Sequence, residues 1–213
     1  MNITNSEIEN YCKEISLPES SECYAIKEYA DATMGVQARM VSGSLENALF
    51  KFLIKLTNPK KILEIGTFLG YSALSMAEFI QEDAIITTLD IDAVALKQAQ
   101  AFWDKSLHGN KIIAHCMSAL DFLEHTDEKF DLIFIDADKN NYLNYFKASL
   151  GKLSENGYII VDNTLWSGKV LLSDSSDKQT QTIQELNKYI QSRNDLINVL
   201  LPLRDGVHLV TKK

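Results

Sequence analysis

Five short apolar runs, each ending abruptly, constrain this 213-residue chain more than any other feature. They are Ile62-Leu63-Glu64-Ile65 and residues 85–89, 111–115, 132–135 and 158–161. Four of the five stop at once on glycine or aspartate: Gly66, Asp90, Asp136 and Asp162. Between the runs lie helix-length amphipathic stretches at about 70–80, 92–107, 140–152 and 175–193. Apolar strands alternating with helices predict an α/β fold, a doubly wound parallel sheet covered on both faces. The ending departs from that rhythm. Residues 196–201 and 207–211 are joined only by Pro202-Leu203-Arg204-Asp205-Gly206, too short for a parallel crossover, so an antiparallel hairpin is expected there.

Ahead of the sheet, residues 1–58 read as helical and 60–213 as the core, together one domain. Ile8, Tyr11, Cys12 and Ile15 fall at helical spacing, and a second segment covers about 22–36. A third carries Leu45, Leu49, Phe52, Leu53 and Leu56 on one stripe and ends before Asn58-Pro59. Lys and Arg number 21 against 29 Asp and Glu, a net charge of −8 that argues against nucleic acid as a partner. No apolar run approaches the roughly 18–20 residues that cross a bilayer. The first twenty residues, with Glu7, Glu9, Lys13 and Glu14, lack the apolar stretch of a secretory signal. Three scattered cysteines, Cys12, Cys23 and Cys116, suit the reducing cytoplasm.

In open α/β sheets, ligands bind beyond the carboxyl ends of the strands. The first such end reads Glu64-Ile65-Gly66-Thr67-Phe68-Leu69-Gly70-Tyr71-Ser72. Its glycines allow a ligand near the backbone, or simply make a tight connection. Phe68 stands where a dinucleotide fingerprint wants its second glycine, which disfavours a pyrophosphate. Asp90, closing the second run, can accept both hydroxyls of a ribose or cap the helix beginning near Ala93. Jointly these features point to a nucleoside ligand without a diphosphate.

Asp136, Asp162 and Asn163 put three oxygen donors on consecutive strand ends. Singly, each aspartate is an ordinary cap or turn former. Together the three suit a hard cation that keeps water in its open positions: Mg²⁺ first, with Mn²⁺ and Ca²⁺ also compatible. Lys139, three residues past Asp136, is either a solvated lysine or a base beside that cation. Such an assembly suits making an oxyanion from a chelating diol. His108, His115, His125 and His208 are scattered and read as structural, as do the aromatic residues Tyr142, Tyr145 and Phe146.

From about Met40 to Lys213 the chain resembles the cation-dependent class I O-methyltransferases, the caffeoyl-CoA and catechol group. The resemblance rests on residues 63–72, on Phe130-Asp131-Leu132-Ile133-Phe134-Ile135-Asp136-Ala137-Asp138-Lys139 through Tyr142, and on Asp162-Asn163-Thr164-Leu165-Trp166. It implies a Rossmann-like sheet of seven strands with a reversed final strand, S-adenosylmethionine as methyl donor, and a homodimer. Position by position it implies that Glu64, Gly66, Thr67 and Ser72 lie along the cofactor and that Asp90 takes the ribose. Ser118 and Ala119 would flank the adenine, and Val41 the methionine end. Asp136, Asp162 and Asn163 would hold the metal, Lys139 would accept the proton, and Trp166 would wall the acceptor site. The expected reaction is methyl transfer to one hydroxyl of a metal-chelated, catechol-like small molecule. Competing readings are a nucleotide-dependent oxidoreductase, a non-catalytic cofactor-binding protein, and a methyltransferase for another acceptor. Two departures stand out. Where many members read Ser-Pro-Glu followed by Gly-Gln, this chain has Ser42-Gly43-Ser44-Leu45-Glu46-Asn47, and Ser167 replaces the asparagine of the plant enzymes.

Overall fold

A computed structural model describes residues 4–213. Three helices come first: α1 (Ser6–Ile15), α2 (Ser21–Thr33) and α3 (Ser44–Thr57). The side chains of Asn5 and Ser20 cap the first two by accepting from backbone N–H groups of the opening turn. Asn58, in the left-handed region at φ 50°, ends α3 directly before Pro59. Strands and helices then alternate through β1 (Lys61–Ile65), α4 (Tyr71–Ala77), β2 (Ile85–Asp90), α5 (Ala93–Trp103) and β3 (Ile112–Cys116). The series continues with α6 (Ala119–His125), β4 (Phe130–Ile135), α7 (Tyr142–Lys152), β5 (Leu153–Val161), α8 (Lys178–Ser192), β6 (Leu196–Leu201) and β7 (Val207–Lys212).

The seven strands form one sheet in the order β3-β2-β1-β4-β5-β7-β6. The first five are parallel, and β7 inserts antiparallel between β5 and β6. This is the doubly wound architecture expected from the strand rhythm, including the terminal hairpin. Alternation along β1 splits the core. Ile62 faces Phe50, Ile54, Leu74 and Trp103 on one side, while Leu63 and Ile65 face Phe146, Ile183 and Leu186 on the other. Among the described residues no helix is long and apolar enough to cross a membrane.

Three details differ from the sequence reading. The crossover between β3 and β4 contains α6, seven residues long, too short for its period to register in the sequence. Strand β5 begins at Leu153, because a register irregularity near Phe130 lets the polar segment before Tyr158 join the sheet. On α3 the buried face carries Phe50 and Ile54 together with Glu46, Asn47 and Lys51. The expected stripe is rotated toward solvent, with Phe52 and Leu56 exposed. The polar residues of the buried face are held by partners, such as Lys51 Nζ on Glu78 at 2.9 Å.

Candidate active site

A cavity of about 980 Å³ opens along the carboxyl ends of β1, β2, β4 and β5. Gly66 has φ +100°, and a Cβ there would sit 2.0 Å from the carbonyl oxygen of Asp136. Gly70 has φ +74°, and a Cβ there would strike the Trp103 ring at 2.3 Å. Both glycines are therefore required by packing within the protein, whatever ligand lies above them.

Asp90 accepts the backbone N–H groups of Thr67 at 3.0 Å and Phe68 at 2.8 Å through one oxygen. Its other oxygen takes the N–H of Asp92 at 3.0 Å. The helix cap is Asp92, which accepts from Val94 and Ala95. The two roles considered for Asp90 thus separate: it does not cap α5, and its carboxylate is fixed at the cavity wall. Glu64 lies fully buried beneath, hydrogen-bonded by the hydroxyls of Ser72 and Thr88. Burial pushes its carboxyl up to about 8. Val41, Gly66, Thr67, Ser72, Asp90 and Ala119 line the cavity. Glu64 and Ser118 stand behind that lining, and Ser118 caps α6 through the Asp121 N–H.

At the other end, Ile135 pairs with Val161, so Asp136 and Asp162 leave adjacent parallel strands side by side. Their N–H groups continue the ladder, to Ile65 O at 2.9 Å and Ile135 O at 3.1 Å. Asp162 is only 2% exposed. Its direct partners are the N–H of Asn163 at 2.6 Å and the Asn163 Nδ2 at 3.1 Å. Asn163 adopts φ 57°, a left-handed conformation that asparagine tolerates. Burial first, then the negative charges of Glu46 and Asp136, hold the Asp162 carboxyl well above the carboxylate range.

Lys139, also nearly buried, donates from Nζ to Asp136 Oδ1 at 2.8 Å, Ala137 O at 3.1 Å and the Tyr142 hydroxyl at 2.5 Å. Burial and the adjacent carboxylates raise the Tyr142 phenol well above its usual value, so it remains neutral. Asp136, Lys139, Asp162, Asn163 and Trp166 all face the same cavity as Asp90. Among the described residues no group of three or more His, Cys, Asp or Glu side chains gathers as a ready metal cluster. The available set is two carboxylates and an amide, oxygen donors throughout. A buried carboxylate held only by the amides of its neighbour fits a divalent cation.

Sequence reasoning passed over several residues here. Tyr142 was assigned to packing, yet its hydroxyl holds Lys139. The Tyr145 hydroxyl donates to Asp138 at 2.6 Å, and both residues line the cavity. Arg204, from the β6–β7 connection, reaches the fully buried Glu46 at 2.8 Å. Gly43 makes room for it, since a Cβ there would meet Arg204 Cδ at 2.6 Å. A lone glutamate among the apolar residues of a helix was the only available signal for that pair. The four histidines stay out of the cavity lining. His208, buried between Asn187 and Asn198, is pushed down to about 4 by that burial.

The O-methyltransferase family profile matches residues 14–213. A caffeoyl-CoA O-methyltransferase of Stellaria longipes is 32% identical, covering 96% of this chain and 90% of its own length. The SAH-bound methyltransferase of Podospora anserina superposes with a TM-score of 0.87 at 26% identity, over 99% of this chain and 97% of that one. An O-methyltransferase from Bacillus cereus, in complex with SAH, shares the whole fold at a TM-score of 0.89 and 24% identity, covering 100% of both chains. With the profile spanning nearly all of the sheet and its helices, the chain belongs to the class I, S-adenosylmethionine-dependent O-methyltransferase family of the caffeoyl-CoA type.

Proposed function

We propose that the protein methylates one hydroxyl of a vicinal diol on a small, catechol-like molecule, with a divalent cation held by Asp136, Asp162 and Asn163. The observation that carries this reading is one cavity with Asp90 at one end and the Lys139–Asp136 pair beside buried Asp162 at the other. When bound, the cation supplies Lewis acidity that eases ionisation of two adjacent hydroxyls and fixes their orientation. Everything else falls to the protein and to the reactivity of the donor.

Lys139 is the proton acceptor. In its neutral form Nζ takes the proton of one acceptor hydroxyl and becomes the ammonium ion. The oxygen then forms a bond to the methyl carbon as the carbon–sulfur bond breaks, its electron pair returning to sulfur. A methyl ether and S-adenosylhomocysteine result. Tyr142 and the Ala137 carbonyl hold Lys139 in place through this exchange. Asp90, fixed by the Thr67 and Phe68 N–H groups, offers the ribose a rigid acceptor, while Val41 and Ser72 flank the methionine end. Trp166 walls the acceptor site from a turn in which Trp166, Ser167 and Gly168 all have positive φ. Alignment and water exclusion do most of the catalytic work, because the sulfonium is already activated.

The same reading includes a cytoplasmic homodimer. Exposed Phe52 and Leu56 of α3, beside Ile8, Tyr11 and Ile15 of α1, offer an apolar face of the kind a second copy covers. Light scattering of the purified protein checks the dimer. For the reaction, catechols and caffeoyl esters are incubated with methyl-labelled S-adenosylmethionine, with and without EDTA. Transfer that chelator abolishes and Mg²⁺ restores is expected. Full transfer in excess EDTA removes the cation, and cofactor binding without transfer to any diol favours a non-catalytic role.

A further inference from the structure

Glu46 fastens the start of α3 by accepting the Gly43 N–H, but with only one of its two oxygens. It sits in the first turn of α3 with no exposed surface. One oxygen, Oε2, accepts from Arg204 at 2.8 Å and from the Gly43 N–H at 3.5 Å; the other, Oε1, has no hydrogen-bond partner. The carboxyl lies within electrostatic range of the Asp162 and Asp136 carboxyls. A buried acid facing two others is costly unless positive charge or donors arrive from elsewhere. Arg204 supplies one charge to Oε2, and its Nη2 donates to the Val41 carbonyl at 3.4 Å. An apolar side chain at position 46 would bring neither cost.

We propose that Glu46 is an outer-sphere positioning residue of the divalent-cation centre, its unpartnered Oε1 accepting hydrogen bonds from the water that completes the ion's shell. Arg204 clamps the other oxygen and balances the extra charge. The inference rests on the cation reading given above. A direct ligand role is not assigned, because the three acids do not gather as a metal cluster among the described residues. Hard cations such as Mg²⁺ keep several waters, and the acceptors of those waters tune affinity.

The test is Mn²⁺ binding to the full-length protein, read from the loss of the free-ion electron paramagnetic resonance signal, with no substrate present. Wild type is compared with Glu46→Gln and with Glu46→Gln/Arg204→Gln, which removes both charges and leaves no unpaired buried guanidinium. Both variants are expected to bind Mn²⁺ about 10–100-fold more weakly while S-adenosylmethionine affinity stays within about threefold. Should Glu46→Gln fail to fold, the double variant carries the comparison. Mn²⁺ affinity within twofold of wild type in either folded variant overturns the inference alone. A parallel loss of cofactor affinity, or failure of both variants to fold, assigns Glu46 to simple bracing and also overturns it. If wild type takes up no Mn²⁺, the cation reading falls, and this inference with it.

Discussion

The two ends of the cavity are built on opposite principles. At the β1–β2 end polar groups are matched locally: Asp90 is fixed by three backbone N–H groups, and Glu64, raised to about 8, sits between two hydroxyls. At the β4–β5 end Lys139 pairs with Asp136 and Arg204 with Glu46, while Asp162 has the amides of Asn163. The first end is a finished socket. The second buries two acids, Asp162 and Glu46, that burial and mutual repulsion push above the usual carboxylate range, a cost that a cation would relieve. The difference teaches that one end needs only shape and hydrogen bonding, whereas under the proposed function the other must change charge during the reaction.

The largest expected effect attacks the charged end. Lys139→Met should lower kcat by about 10²–10⁴-fold, the range for loss of a general base, with cofactor affinity preserved. Steady-state kinetics with a catechol, paired with calorimetric titration of S-adenosylhomocysteine, checks both halves. Unchanged turnover removes the base assignment and with it the contrast between the two ends.

Next comes the socket. In Gly66→Ala the new Cβ meets the Asp136 carbonyl and the backbone must hold φ +100°, a combined cost of about 2–6 kcal/mol. Gly35 is the control: it also has positive φ, but open space around it, so alanine there should cost only about 1–2 kcal/mol. Urea unfolding of the two variants measures the difference. Equal losses would mean that the close approach of β1 and β4 does not constrain the socket.

How much of each end was legible in the sequence follows from the same contrast. Strand ends and the terminal hairpin are local in sequence and could be read from residue type and spacing, and the strand order follows well enough to bring Asp136, Asp162 and Asn163 to one cavity. What the glycines are for was not, because the Asp136 carbonyl and the Trp103 ring that demand them are distant in the chain. Spacing alone leaves Asp90 between two roles, because Asp92, two residues on, is an equally good cap and is the one that caps α5. The buried side of α3 was misplaced because Glu46 and Lys51 are charged, and only their remote partners, Arg204 and Glu78, make their burial tolerable. Tyr142 looked like core because its ring is core, and only the hydroxyl at its tip belongs to the site.

Acidity offers a subtler way to separate the ends. Glu64 is held protonated up to about pH 8 in the fold, while in the unfolded chain it ionises near 4.5. Its folded value is raised, so its contribution to stability is fully present below 4.5 and is lost as pH rises through 8. Glu64→Gln, which cannot ionise, should therefore gain on wild type in thermal melts between pH 5 and pH 8, with the gap level beyond. A constant difference across that window would show that Glu64 is ionised in the fold, and that the socket also stores charge.

The smallest expected effect lies where the two principles meet, at a neutral phenol that touches the charged cluster. Tyr142→Phe keeps the buried ring and deletes one acceptor of Lys139, leaving Asp136 and Ala137 O to hold the amine. Loss of one such hydrogen bond is worth about 0.5–1.5 kcal/mol, which corresponds to about 2–12-fold in kcat if it acts on the transition state. Because the neutral phenol cannot itself remove the proton, the pH dependence of kcat should keep its shape and only its height should fall. A loss as large as that of Lys139→Met would instead make Tyr142 part of the proton path, and would extend the charged end one residue deeper into α7.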